Sequence, residues 1–448
     1  MKLQKPQASK FDRNLSLPGA LTIGLGTMIG AGIFVLSGPA AGQAGPAVTL
    51  SYVIAGLICL PVAMTVAELA TAMPQAGGSY HLVTNTIGPF AGTIVGIANW
   101  LGLIFAGGFY LIGFAQYLTE YVNIAPWIVI AAVGGLFTLL NVLGAHYTGK
   151  LQLAIVSLLL LILSYYIASS WQQMDTALHT PYMPKGFRDV FATVGLIIVS
   201  FTGFEKISTT AGEIKKPARN LPIAIIGSVV IATVLYVLIL HVSTGVVPYD
   251  EFATFNAPLL DTAREFMGNT VGVMAIWAAA LLAMASSSNA AITTASRINF
   301  AMSRDRVLPG WFDYIHNKFD TPMRSVLLTG LISVGLALIG NIEQLAKISS
   351  VMFMASYALI SWGLIRIRRK KPAWYKPGFK VPLVPVLPFV SGLTALSVIL
   401  VMGSVPQIAG IGFASLGVGW YYLWVRKHYR QGGEKSSGFE DNKKEKQK

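Results

Sequence analysis

A chain of 448 residues that is 54% hydrophobic and only 12% charged, with a mean hydropathy of +0.61, excludes an ordinary soluble domain, in which about a quarter of the residues are charged. The formal net charge of +14 falls in alternate loops, which points to membrane orientation and against nucleic acid as a partner. A single cysteine, Cys59, excludes an intrachain disulfide and a cysteine-based metal cluster.

Met1 to Leu17 is polar and basic and runs into apolar sequence without a small-residue cleavage site. It reads as a cytoplasmic tail rather than a signal peptide. Apolar stretches of about 20 residues mark membrane spans. About twelve are expected by that criterion, near 18–37, 47–72, 88–122, 125–145, 149–171, 187–213, 219–247, 270–302, 323–341, 344–367, 383–403 and 405–426. Spans 3 and 8 are long and are expected to tilt. Basic residues gather in the N-tail, at Lys215, Lys216 and Arg219, from Arg304 to Arg324, from Arg366 to Lys380, and after Arg426. That alternation requires an even number of spans and places both termini in the cytoplasm. The expected organisation is a tail over 1–17, a membrane domain over 18–430 and a disordered tail over 431–448.

Span 1 contains Gly24-Leu-Gly-Thr-Met-Ile-Gly-Ala-Gly32, four glycines in nine residues. Each glycine costs a helix roughly 1 kcal/mol relative to alanine. In lipid a broken helix is tolerated where its freed backbone lines a cavity or meets protein. Two readings stand: a solute-binding break, or close packing through small residues. In span 3, Asn99 and Trp100 lie in mid-membrane, where Asn99 either faces a solute or bonds a neighbouring helix. A second interruption is expected in span 6 at Ser200-Phe-Thr-Gly-Phe-Glu-Lys206. Interruptions in corresponding positions of two halves indicate an inverted-repeat transporter with its site at the midplane.

A half-helix N-terminus attracts an anion and the carbonyls of the preceding half attract a cation. Two such breaks side by side hold the carboxylate and ammonium of an amino acid without any charged side chain. Glu205 and Lys206 are the obvious charged pair inside a span, and intramembrane charges are functional by default. A carboxyl taken out of water can carry a proton. The plainer reading is mutual neutralisation, which adjacent positions on a regular helix disfavour. Glu68, Glu120 and Asp189 lie near span ends, where loop or interface partners are expected. In span 8, Ser286-Ser-Ser-Asn289 offers hydroxyls suited to Na⁺ or to helix packing. Trp420, Tyr421, Tyr422 and Trp424 read as an interfacial belt. Arg368 to Lys371 reads as an orientation signal with some contact to anionic lipid. No catalytic constellation, metal spacing or GxxxxGK[ST] phosphate loop occurs, so no enzyme activity, cofactor or metal is expected.

Four runs of residues carry a resemblance. They are Gly26-Thr-Met-Ile-Gly-Ala-Gly-Ile-Phe34; Glu68-Leu69 with Pro74-Gln-Ala-Gly-Gly-Ser-Tyr80; Phe201-Thr-Gly-Phe-Glu205 continuing to Gly212-Glu-Ile-Lys-Lys-Pro-Ala-Arg-Asn-Leu-Pro222; and Ser296-Arg297 with Ala301-Met-Ser-Arg-Asp-Arg-Val-Leu-Pro309. In this order they resemble the amino acid–polyamine–organocation superfamily over nearly all the spans. The resemblance implies an all-α membrane fold, a five-plus-five inverted repeat with helices 1 and 6 broken, two further helices, and alternating access. Carried over by position, the amides of Ala31 and Gly32, beside Ile29 and Gly30, would bind the substrate carboxylate. The carbonyls of Met28, Val199 and Thr202, beside Phe201, would take the ammonium. Ala98, Asn99 and Leu103 would face the side-chain pocket, and Glu205 would serve gating or proton-linked steps.

Two departures stand out. Some relatives carry a helix-5 lysine in place of a sodium ion, and alignment puts Leu159 there. Lys206 replaces a small residue, and is expected to supply the missing cation near helix 1 or helix 8. Ser286, Ser287, Glu205 and Lys206 are thus the coupling or gating candidates. The expected function is secondary transport of neutral amino acids across the cell membrane, by symport with H⁺ (or Na⁺) or by exchange. The alternatives are a ligand-binding membrane sensor and a transporter of another small solute on the same fold.

Overall fold

The computed structural model describes residues 13–74, 77–144, 149–268 and 270–429. The expected tails before Arg13 and from Gln431 therefore lie outside the described residues, as do Gln75 and Ala76 of the second motif. Among the described residues the structure is helical and has no strand, only an isolated bridge between Leu15 and Ile214. Leu15 is tied to the chain after span 6 on both sides: its N–H donates to Glu213 C=O (2.9 Å) and its C=O accepts from Lys215 N–H (2.8 Å).

The first span opens as α1 (Leu17–Met28), where the Ser16 hydroxyl accepts from Gly19 N–H and Pro18 sits in the first turn. It resumes as α2 (Ala31–Phe34) and α3 (Ser37–Ala44). Next come α4 (Val48–Ala72), α5 (Gly78–Thr86), α6 (Pro89–Thr119), α7 (Pro126–Val142) and α8 (Gly149–Trp171). Span 6 is α9 (Phe187–Ile197) and α10 (Gly203–Thr209), joined by a 3-10 turn. The remainder comprises α11 (Pro217–Val246), α12 (Tyr249–Phe252), α13 (Pro258–Phe266), α14 (Thr270–Arg304), α15 (Met323–Ile339), α16 (Ile342–Lys370), α17 (Val386–Ile399), α18 (Ser404–Trp420) and α19 (Arg426–His428).

Among the described residues nine helical segments are long and apolar enough to cross a membrane, and α7, α15 and α17 are shorter apolar helices. These match the expected spans, and the long ones are α6 at 31 residues and α14 at 35. Two boundaries differ. Span 1 does not end near 37 but continues through α3 to Ala44, where Gly45 turns the chain at φ +68°. Span 6 stops at Thr209, not 213, because Ala211–Glu213 tightens into a 3-10 turn before Lys216 (φ 47°) and Pro217 start α11.

Packing sets the site. The two interrupted spans touch: α1 packs on α10 and α11, while α6 packs on α14 and α16. Large apolar side chains on α8 and α18, such as Leu161 and Leu416, stay exposed, as lipid-facing surfaces of a spanning helix do. Near one end of α4, Glu68 is fully buried and receives Arg368 through both carboxylate oxygens (2.7 and 2.6 Å), with Tyr375 OH (2.8 Å) and Val381 N–H (2.6 Å). This is the loop partner expected of a span-end acid. It also revises the basic cluster, since Arg368 serves Glu68 and only its neighbours are left for orientation.

Candidate functional site

Span 1 breaks at Ile29 (φ −76°, ψ 76°) and Gly30 (φ −135°, ψ −150°), so α2 begins with amides that lack the regular i−4 carbonyls. Span 6 breaks where α9 tightens over Ile198–Phe201 and helix resumes at Gly203. The breaks face each other closely. A Cβ on Gly203 would lie 2.6 Å from the Gly24 carbonyl oxygen, so only glycine fits there. Ser287 fills the space beside Gly30, and Ser200 fills the space beside Gly32.

Met28, Ile29, Gly30, Ala31, Gly32, Val199 and Phe201 are all buried around this contact. Tyr236 of α11 bridges the two breaks. Its hydroxyl reaches the carbonyls of Met28 (2.5 Å) and Ser200 (3.2 Å), and its ring packs edge-on against Tyr52 and Phe201. The Val199 carbonyl accepts from the Thr202 hydroxyl (2.9 Å). Two carbonyls that the resemblance assigns to a substrate ammonium therefore already hold side-chain hydroxyls. Sequence reasoning missed Tyr236. A tyrosine in mid-span was a signal, but aromatic residues had been read through the interfacial run at 420–424.

Beside the breaks lies a narrow cleft that opens toward solvent. The Asn99 and Leu103 of α6 line it, together with Thr202, Glu205, Lys206 and Thr209 from span 6. Its remaining walls are Gly78 and Ser79 of α5, Thr294 and Ile298 of α14, and Phe353 of α16. Five of the sequence-derived site residues meet here: Asn99, Leu103, Thr202, Glu205 and Lys206. The others do not line the cleft. Ala98 is buried nearby in the core, and Ser286 and Ser287 belong to the contact with α1 and α8. The α14 and α16 contributors carried no local sequence signal, since they are single apolar or hydroxyl residues in long apolar helices.

Glu205 and Lys206 do not neutralise each other. The Ser79 hydroxyl donates to Glu205 Oε2 (2.7 Å). The Tyr357 hydroxyl lies against the same carboxyl, yet neither it nor Oε1 completes a hydrogen bond. Lys206 joins none of the ion pairs among the described residues. Asn99 is buried with its Oδ1 unpartnered, which supports its solute-facing reading over a helix–helix bond.

The helix-5 position can be set beside its surroundings. Leu159 is buried within the apolar core. Two α8 side chains lie against Gly26, Val156 and Gln152, and the Gln152 amide also lies 3.5 Å from Ser286 Oγ. Further along α14, Asn289 accepts from Asn141 (2.6 Å), and Thr293 donates to Asn141, so this stretch uses its polar groups in helix packing.

The helix α5, which lines the cleft through Gly78 and Ser79, also carries a partly buried imidazole. Burial and the nearby Arg304 push His81 down from 6.5 to about 4, and Asn85 lies within 3.2 Å of its ring. The unfolded chain therefore takes up a proton between about pH 6.5 and pH 4 that the folded chain refuses, so stability falls as pH drops through that window. Thermal unfolding in detergent is expected to show this acid-side loss, and His81→Gln is expected to flatten it. An unchanged slope in the variant would assign the loss to other groups.

Comparison with known proteins adds to this geometry. The family model described as amino acid permease matches residues 15–425. The chain is 32% identical over 428 residues to a branched-chain amino acid permease of Bacillus subtilis, covering 91% of each. It is 29% identical over 442 residues to a methylthioribose transporter of that species, covering 94% of this chain and 95% of the relative. A branched-chain amino acid permease of Lactococcus lactis is 26% identical over 415 residues, with 86% and 89% covered.

Proposed function

Because the chain belongs to the amino acid permease family of multi-pass membrane transporters, we propose that it carries neutral amino acids, with branched-chain ones foremost, across the cell membrane by alternating access. The observation that supports this reading most is the meeting of two broken spans beside a cleft with an apolar wall of Leu103, Ile298 and Phe353. That wall suits an aliphatic side chain, and two of the similar permeases carry branched-chain amino acids by name. The basic loops put both termini in the cytoplasm.

In this reading the amides of Ala31 and Gly32 take the carboxylate when the breaks open, and the ammonium displaces the Tyr236 and Thr202 hydroxyls from the carbonyls of Met28 and Val199. Ile29, Gly30, Phe201 and Ala98 shape that space. Glu205 is the proton-linked group, since it is buried, lines the cleft and takes a hydroxyl from Ser79 of α5. A proton arriving at Glu205 weakens the tie to Ser79 and loosens α5 from span 6. Lys206 supplies a cation on the cleft side of helix 8, while Ser286 and Ser287 tie helix 8 to the first break. H⁺ is the leading coupling ion. Na⁺ would need hydroxyls that here pack against Gly30 and Gln152.

The methylthioribose transporter keeps a second reading in view, a polar uncharged solute held by the hydroxyls of the same cleft. In proteoliposomes, leucine uptake is expected to rise with an inward proton gradient and to fall as external pH rises. Glu205→Gln is expected to leave exchange measurable and to flatten that pH profile. A profile that keeps its wild-type shape in the variant would remove Glu205 from the coupling step.

A further inference from the structure

We propose that the cleft next to the breaks holds the amino acid zwitterion through side chains, with Lys206 as its anion-binding group and Asn99 as an acceptor for the ammonium. This deepens the transport reading and rests on it.

The cleft contains complementary unmet needs: a buried ammonium at Lys206, and buried acceptors at Asn99 Oδ1 and Glu205 Oε1. Lys206 is only 6% exposed and lacks a carboxylate within ion-pair distance among the described residues. A buried ammonium in a membrane protein calls for an anion or a carbonyl to complete it. Glu205 forms no ion pair with it, and its Oε2 is turned to Ser79 of α5. Asn99 has the opposite need. Its Oδ1 is buried and accepts no hydrogen bond, and buried acceptors are rarely left so. An α-amino acid supplies both missing partners in one small molecule: a carboxylate for Lys206 and N–H donors for Asn99. Leu103 and Phe353 on the same walls receive an apolar side chain.

The cleft adjoins the breaks, with Thr202 of the span-6 break on its wall. None of Met28 to Gly32 lines the cleft, and the carbonyls of Met28 and Ser200 are held by Tyr236. The cleft also borders α5, beside the end of span 6 that leads into the basic Lys215–Lys216 loop. An amino acid leaving the breaks toward that face meets Lys206 and Asn99 next, and exchanges backbone partners for side-chain ones.

The test is competition against labelled L-leucine uptake in proteoliposomes by two fragments of the substrate. Isopentylamine lacks the carboxylate, and 4-methylpentanoate lacks the ammonium. Wild-type protein is expected to prefer leucine strongly over both. Lys206→Met is expected to lose about 10- to 100-fold of the preference for leucine over isopentylamine, as for removal of a charge-assisted hydrogen bond, and Lys206→Arg to recover most of it. Asn99→Leu, an independent variant, is expected to erode the preference over 4-methylpentanoate instead. Wild-type preferences retained in both variants would overturn the proposal while leaving transport intact. If the wild-type protein took up no amino acid, the transport reading would fail, and this one with it.

Discussion

Ala31→Pro is expected to lower amino acid uptake by about 10- to 100-fold without unfolding the protein, the size of a lost hydrogen bond to a charged group. Ala31 is the first residue of α2, where proline is well tolerated because its fixed φ suits the first helical turn and its missing N–H has no helical partner to lose. Gly30 before it, at φ −135° and ψ −150°, lies outside the helical region that a following proline disfavours. The substitution thus deletes one amide at the break and little else. In the proposed mechanism that amide is one of two that hold the carboxylate. Uptake kinetics beside a thermal unfolding curve check it: a wild-type melting curve with collapsed uptake is the expected pair. Wild-type uptake would show that the carboxylate is recognised elsewhere.

Arg368→Met is expected to produce the largest stability loss of any single change outside the breaks. Glu68 is 0% exposed, and the guanidinium satisfies both of its oxygens at 2.7 and 2.6 Å. Removing one partner of a buried pair leaves an uncompensated charge and typically costs about 3–5 kcal/mol. Tyr375 and Val381 N–H still bond the carboxylate, which places the loss toward the lower end of that range. The double variant Glu68→Gln with Arg368→Met removes the stranded charge and is expected to recover part of the loss. Melting in detergent distinguishes the two cases. A single variant as stable as wild type would mean that the pair contributes nothing net. The pair fastens α4 to the end of α16 and, through Val381 and Tyr375, to the chain after it, so the loss should appear as well in proteolysis of the 371–383 segment.

The spans were legible from the sequence because lipid imposes a simple rule: about 20 apolar residues per crossing, with charges between. The breaks were legible too, because Gly24 to Gly32 and Phe201-Thr-Gly203 place helix-poor residues where helix is otherwise obligatory. Charges inside spans are so unfavourable that Glu205 and Lys206 stood out alone. What stayed hidden depends on rotation about helix axes. Leu159 and Gln152 lie two turns apart on α8, and only the packed structure shows that Gln152 meets Gly26. Tyr236 and Tyr357 look like any membrane tyrosine until their hydroxyls are seen beside Met28 and Glu205. Phe353, Thr294 and Ile298 join the cleft because α14 and α16 both pack on α6, a long-range fact with no local signature. The Arg368–Glu68 pair joins residues 300 positions apart, so the basic cluster could be read only as a charge run.

Uptake of a panel of radiolabelled amino acids into proteoliposomes, with and without an inward proton gradient and with unlabelled amino acid inside, tests the central claim most directly. The account predicts saturable uptake of leucine, isoleucine and valine, driven above equilibrium by the proton gradient and competed by other neutral amino acids. Absence of uptake for every amino acid in the panel, under either driving condition, would contradict it.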